Sequence, residues 1–274
     1  MSGSKYKAGF IGCGNMGGTL ASVCARAVGG GCVALYDPDT AKTAAIAAST
    51  GASVLGSAEE AVGSCEYVFL GVKPQIMKDL LHGIAGAAAK RPGVVFVSMA
   101  AGIETSFIKK ETGLPGLRVI RIMPNMPCRS GEGMILCSPA AGVSEEEYAS
   151  FLPLLDGAGR IARIPEKLID AACALSGSGP AYVFMFIEAL TDAGIECGLP
   201  SDIAKLLAAQ TVLGSAKSVL DAGDGADPGA MKTAVCSPGG TTIAGVHALE
   251  EKAFRAAVMD AVAAGYKRAL ELRQ

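Results

Sequence analysis

The chain has 274 residues, half of them hydrophobic and 18% charged, with a formal net charge of −2. That length suits two domains, and the apolar fraction allows a large core. With no basic run and no aromatic-rich basic stripe, the sequence points neither to nucleic acid nor to an anionic membrane surface.

The first residues, Met1 to Lys7, are polar and lead straight into an apolar run, unlike a signal peptide. No uninterrupted apolar stretch approaches the roughly 20 residues of a membrane span. Nine cysteines are scattered without the spacing of a zinc site, so no metal is expected. An odd, unpatterned set of this kind suggests reduced thiols in a cytoplasmic protein.

Ala8-Gly9-Phe10-Ile11-Gly12 is predicted as a strand, and a helical pattern follows from Met16 to Ala27. Between them stands Gly12-Cys13-Gly14-Asn15-Met16-Gly17, the GxGxxG spacing of a dinucleotide-binding turn. Gly12 would make the tight turn, Gly14 would let a pyrophosphate approach, and Gly17 would let the helix pack on the strand. The next strand, Cys32 to Tyr36, ends in Asp37, where an NAD-type site requires a carboxylate for the ribose hydroxyls. Asp37-Pro38 is also a good helix start, so a capping role for Asp37 stands beside the cofactor role. Lys42 is the nearest cation and, on a helix, can face away.

The alternation continues through capping-box residues Ser57 and Glu60 and a strand over Tyr67–Val72. Lys73-Pro74-Gln75 opens another helix, and strands follow over Val94–Ser98 and Val119–Met123. Gly133–Cys137 and Arg160–Ile164 look like the last two strands, separated by a helix with a second capping box, Ser144 and Glu147. Continuous apolar strands separated by helices indicate a doubly wound, mostly parallel sheet of Rossmann type. Ligands of such sheets bind beyond the carboxyl ends of the strands. Val72, Lys73, Pro74, Ala100 and Ala101 are thus placed beside a nucleotide, and Asn125 towards its nicotinamide end.

From Pro165 onward the pattern is helical throughout, so two domains are expected, over residues 1–164 and 165–274. Ala181 to Cys197 is apolar almost all round, as in a helix buried within a bundle or between subunits. Ser176 and Ser178 lack the G-x-S-x-G setting of a hydrolase, because Ala174 precedes Ser176. Near the end, Ser237-Pro238-Gly239-Gly240-Thr241-Thr242 reads as a tight turn running into a helix. Open N–H groups at that helix start, approached over glycines, could cradle a small carboxylate or phosphate.

A dinucleotide domain followed by a helical one indicates an oxidoreductase with its substrate at the seam. Oxidising a hydroxyl needs a base, and Ala181 to Ala193 holds neither lysine nor histidine. A protonated C=N is already an electrophile, so positioning suffices for its reduction.

The chain resembles the pyrroline-5-carboxylate reductase family over essentially its whole length. The resemblance is carried by Gly12–Gly17, Phe69–Gln75, Met99–Gly102, Arg121–Pro127, Leu175–Tyr182 and Ser237–Glu250. It implies hydride transfer from NADH or NADPH to a ring C=N, with NADH favoured by Asp37. It implies substrate binding by Ser176, Gly177, Ser178, Ser237, Gly239, Gly240, Thr241 and Thr242, with the Thr242 hydroxyl near the ring nitrogen as the catalytic group. A homodimer through the helical domain, often built further into a ring, is implied as well. The chain departs from the family pattern at Asp227-Pro228, Lys232-Thr233, Ala58 and the Gly223–Gly225 loop. Another imine reductase or hydroxyacid dehydrogenase of the same layout, and a non-catalytic dinucleotide-binding protein, remain as alternatives.

Overall fold

The computed structural model describes residues 4–273. Its first unit is built on β1 (Tyr6–Ile11), α1 (Asn15–Val28), β2 (Val33–Tyr36), α2 (Thr40–Thr50), β3 (Ser53–Val54), α3 (Ala58–Ser64) and β4 (Cys65–Leu70). There follow α4 (Pro74–Ala89), β5 (Val95–Ser98), α5 (Thr105–Thr112), β6 (Arg118–Met123), β7 (Gly133–Pro139), α6 (Glu145–Phe151), β8 (Gly159–Arg163) and α7 (Ile169–Ala172). The eight strands form one sheet in the order β3-β2-β1-β4-β5-β6-β7-β8.

Successive strand residues point to opposite faces, and both faces are covered. Phe10, Phe69, Val97 and Ile120 pack with Leu20 and Cys24 of α1 and Phe151 of α6 on one side. Ile11, Val68, Phe96 and Val119 pack with Val62 of α3 and Met77 and Leu81 of α4 on the other. Phe10 and Phe69, neighbours in register across β1 and β4, stack with ring centroids 4.3 Å apart.

Every pairing is parallel except β6 with β7. The link between those two is one short 3₁₀ turn, Met126–Ser130, too short for the crossover that a parallel neighbour needs. The two-residue edge strand β3 adds to the strands expected from sequence. The Ser144–Glu147 capping box forms in full, with reciprocal bonds of 3.2 and 2.8 Å. At α3, Ser57 accepts from the Glu60 N–H as expected, while the Glu60 carboxylate accepts from Gly56 N–H.

The chain forms two compact units that part at Ser178/Gly179, where the sequence reading places the boundary at 164/165, and residues 265–273 belong to the first unit. The second unit, residues 179–264, is all helical: α8 (Gly179–Glu196), α9 (Ser201–Ala222), α10 (Pro228–Val235), α11 (Thr241–Glu251) and most of α12 (Phe254–Glu271). Asp227-Pro228, a departure from the family pattern, is a helix start here: the Asp227 carboxylate accepts from Gly229 N–H and Ala230 N–H at 2.8 and 3.1 Å.

Among the described residues, none of α8 is buried within the single chain. Met185 is 68% exposed and Met259 of α12 71%. The helical run Glu166–Glu196 reaches a mean hydropathy of 1.3 over an 18-residue window, although charged residues interrupt its apolar stretches. That run is interrupted by a π-helical turn at Cys173–Gly177, and its Asp170 is buried in an ion cluster of the first unit.

Candidate functional site

The glycine-rich turn leaves β1 for α1 as its sequence requires. Gly12 has φ +93, and a Cβ there would lie 2.7 Å from the Gly71 carbonyl carbon. A Cβ on Gly17 would run into the Gly12 carbonyl oxygen. Around Gly14 a Cβ would meet no atom within 4 Å among the described residues. Gly12 and Gly17 are therefore demanded by the packing of the turn, whereas at Gly14 the described residues leave the space open. Gly14 is also the N-cap of α1 and has no side chain to offer the first-turn N–H groups, so those of Asn15, Met16 and Gly17 are available to an anion.

Asp37 follows the last residue of β2, with its side chain 11% exposed. Its Oδ2 accepts from the Cys13 N–H at 2.7 Å and its Oδ1 from the Asp39 N–H at 2.9 Å. The N-cap of α2 is Asp39, whose carboxylate accepts from Ala41 N–H, so the capping alternative for Asp37 gives way to its neighbour. Lys42 turns towards the carboxylates, with Nζ 3.9 Å from Asp37 and 3.2 Å from Asp39, where sequence had allowed it to face away. A cleft of about 510 Å³ opens beside the turn, lined by Cys13, Gly14, Asn15, Thr19 and Lys42 among others. Burial, with the Asp37 carboxylate second, pushes the Cys13 thiol up to about 12. The turn, its open helix start and the Asp37 carboxylate fit a dinucleotide.

Val72, Lys73 and Pro74 follow β4, and Ala100 and Ala101 follow β5, at the same carboxyl edge of the sheet. Lys73 is the N-cap of α4 and is exposed. Ala100, buried, and Ala101, exposed, belong to a turn closed by Ile103 N–H to Ala100 O at 3.5 Å, with Gly102 at φ +73.

Asn125, just past β6, uses its amide inside the protein. Its Nδ2 donates to Ser176 O at 2.9 Å, and its Oδ1 accepts from Met134 N–H at 2.9 Å. It thereby fixes the segment that carries Ser176, Gly177 and Ser178. That segment holds the π turn, in which Ser178 N–H reaches back to Cys173 O at 3.0 Å and Ser176 Oγ donates to Ala172 O at 2.9 Å. π turns of this kind recur at functional sites.

Beneath the same edge lies a charge cluster that motif reading passed over. Arg121 is 1% exposed within an apolar strand. Its Nη2 donates to Asp170 Oδ1 at 3.1 Å, and its Nη1 lies 3.5 Å from Glu166. Removing one partner of such a buried pair strands the other charge, at a cost of about 3–5 kcal/mol. The available signal was an arginine in a run that otherwise reads Val-Ile-Ile-Met.

In the helical unit, the turn Ser237–Thr242 forms as its letters suggest. Gly240 N–H donates to Ser237 O at 3.0 Å, Gly239 takes φ +67, and α11 starts at Thr241. Its N-cap is Gly240, and among the described residues no side chain caps it. The first-turn N–H groups of α11 are thus available to an anion, with positive helix-dipole charge behind them. Thr242 is half-buried, and Ser237, Gly239 and Thr241 are exposed.

Residues 166–272 match the family model for pyrroline-5-carboxylate reductase dimerisation, and residues 7–102 that for NADP oxidoreductase, coenzyme F420-dependent. The chain is 41% identical over 273 residues to a pyrroline-5-carboxylate reductase of Arabidopsis thaliana, covering 98% of this chain and 96% of that one. The chain belongs to the pyrroline-5-carboxylate reductase family. An Escherichia coli pyrroline-5-carboxylate reductase is 42% identical over 258 residues, covering 93% and 94% of the two chains. Among solved structures, the Plasmodium falciparum pyrroline carboxylate reductase with NADP bound is similar at a TM-score of 0.87 and 30% identity, over 99% of this chain and 100% of that one. That of Coxiella burnetii gives 0.89 and 27%, with the same coverage. The Rossmann-type fold with a helical second part is thus that of the reductase family.

Proposed function

We propose that the chain reduces L-1-pyrroline-5-carboxylate to L-proline with a hydride from NADH or NADPH, the last step of proline biosynthesis. The observation that carries this reading is the uncapped start of α11 behind Gly239 and Gly240, in a full-length relative of such reductases. When bound, the reduced nicotinamide supplies the hydride. Gly12 to Gly17 and Asp37 would hold its dinucleotide, with Val72, Lys73, Pro74, Ala100 and Ala101 alongside. Ser237, Gly239, Gly240 and Thr241 form the cradle of the substrate carboxylate: Gly240 N–H closes the turn on Ser237 O, and the N–H groups left open at the start of α11 donate to the carboxylate as charge-assisted bonds. The Thr242 hydroxyl accepts from the protonated ring nitrogen and keeps the C=N oriented and electrophilic. Asn125 sets the backbone of Ser176, Gly177 and Ser178, which the family resemblance also assigns to substrate binding.

A hydroxyacid dehydrogenase is disfavoured because α8 holds neither lysine nor histidine to act as base. NADH is favoured over NADPH, since Asp37 repels a 2′-phosphate and Lys42 is already shared between Asp37 and Asp39. The exposed apolar faces of α8 and α12 call for a second copy, and the match of residues 166–272 to a dimerisation model supports a homodimer formed through them. A ring would be assembled from that dimer. Nine free thiols support a cytoplasmic location. The deciding experiment is oxidation of NADH and of NADPH with chemically generated pyrroline-5-carboxylate. Proline-forming turnover is expected, and none with a saturated ring analogue.

A further inference from the structure

The last residues of α12 and the two that follow it return to the dinucleotide unit and lie on the turn after β5. Gly102 of that turn is buried, and a Cβ placed on it would come within 2.6 Å of Leu272 O. One residue on, Arg273 Nε donates to Asp170 Oδ2 at 2.6 Å. The other carboxylate oxygen of Asp170 is the acceptor for the buried Arg121. Four residues before Asp170, the Glu166 carboxylate accepts from both Thr105 N–H and Thr105 Oγ1, at 2.8 and 2.7 Å, and so caps the helix into which the same turn leads. Two cations and two anions from three separated stretches of chain, β6, the Glu166–Asp170 segment and the residues after α12, thus meet beside one short turn. Of the four, Arg273 is the partner nearest solvent, with 39% of its side chain exposed.

We propose that Leu272 and Arg273 form a strap that positions the Met99–Gly102 turn for the dinucleotide, with Arg273 a positioning residue acting through Asp170 and Gly102. The physical reason lies in what the turn lacks. Its residues are Met99, Ala100, Ala101 and Gly102, which carry no polar side chain to fix their own backbone. A turn of small residues lets a ligand approach closely, but its shape must then be imposed from outside. The strap does this by bringing the Leu272 carbonyl against Gly102, and the bond to Asp170 holds the strap there. The inference rests on the reading that Ala100 and Ala101 face the dinucleotide.

The test is fluorescence titration of NADH onto the full-length protein, with KM and kcat alongside. Arg273→Gln should weaken NADH binding by between about threefold and thirtyfold, raising KM while kcat at saturating NADH stays within about twofold. Arg273→Lys, which keeps the charge, should recover part of the loss. Gly102→Ala approaches the same contact from the other side and should also weaken binding. In the Arg273→Gln background its added effect should shrink to what the strained φ of +73 costs by itself, because the strap is no longer held against the new methyl group. Unchanged NADH affinity in Arg273→Gln, with the parent binding normally, overturns the strap. So do effects of Arg273→Gln and Gly102→Ala that simply multiply. A parent protein that binds no NADH overturns the cofactor reading itself, and the strap with it.

Discussion

The Cys13 N–H donates to the Asp37 carboxylate at 2.7 Å, tying the glycine-rich turn to the end of β2. Asp37 therefore shapes the turn in addition to its proposed place at the ribose, and substitutions there test both roles. The unaltered protein should show a lower KM for NADH than for NADPH. Asp37→Ser should narrow that gap, by removing the charge that repels a 2′-phosphate, and should raise both KM values through the loosened turn. Equal KM values in the unaltered protein would count against the ribose role.

Gly14 and Gly17 separate ligand approach from packing. Gly17→Ala pushes a methyl group into the Gly12 carbonyl and should lower the melting temperature together with cofactor binding. Gly14→Ala meets open space and an ordinary φ of −68, so the melting temperature should hold. Its NADH affinity should nevertheless fall by an order of magnitude or more, about 1.4 kcal/mol per tenfold, because the methyl group stands where a pyrophosphate would lie. If Gly14→Ala binds NADH normally, the turn does not carry the pyrophosphate.

Alkaline pH should loosen the same turn. The Cys13 thiol has an ordinary value of 9.0 and is pushed up to about 12 by burial first and by Asp37 second. A folded value above the unfolded one means that its contribution to stability is whole below 9.0 and is lost as pH rises towards about 12. At about pH 8, alkylation with iodoacetamide should therefore reach the exposed Cys32 and Cys197 and spare the buried Cys13 and Cys24. Labelling of Cys13 at the rate of Cys32, read by peptide mass spectrometry, would refute this.

In the helical unit, Thr242→Ala should cost activity more than stability. A hydrogen bond to a charged group is worth about 1.5–3 kcal/mol, so kcat/KM should fall by roughly one to two orders of magnitude. Thr242→Ser keeps the hydroxyl and should recover most of the loss. Thr241→Ala is the control, since the exposed Thr241 is assigned its backbone N–H alone. Equal behaviour of the two alanine variants would reduce the turn to a carboxylate cradle.

The helical unit should not exist as a well-folded monomer. With Met185 and Met259 so open to solvent in one chain, light scattering at micromolar concentration should give a dimer or a multiple of it. Met185→Glu should weaken that assembly and lower the melting temperature in a concentration-dependent way. A stable monomer in the parent protein would overturn the dimer.

How much of this was legible in the letters follows the range of the forces involved. The strands, the GxGxxG turn, the caps at Ser57 and Ser144 and the Ser237–Thr242 turn rest on local patterns: continuous apolar runs, glycine torsions and bonds spanning three or four residues. Those patterns are written within ten residues, so the sequence alone determined them, and the family resemblance with them. The antiparallel β7 and the edge strand β3 depended on which strands meet, which no single segment states. The bond from Cys13 to Asp37, the use of the Asn125 amide on Ser176 and the cluster of Arg121, Asp170, Glu166 and Arg273 join residues from 24 to 103 positions apart. Such contacts leave only a faint local trace, an arginine in an apolar strand or an aspartate in an apolar helix. A buried charge must find its counter-charge wherever the fold brings one, and only the tertiary structure decided where that was.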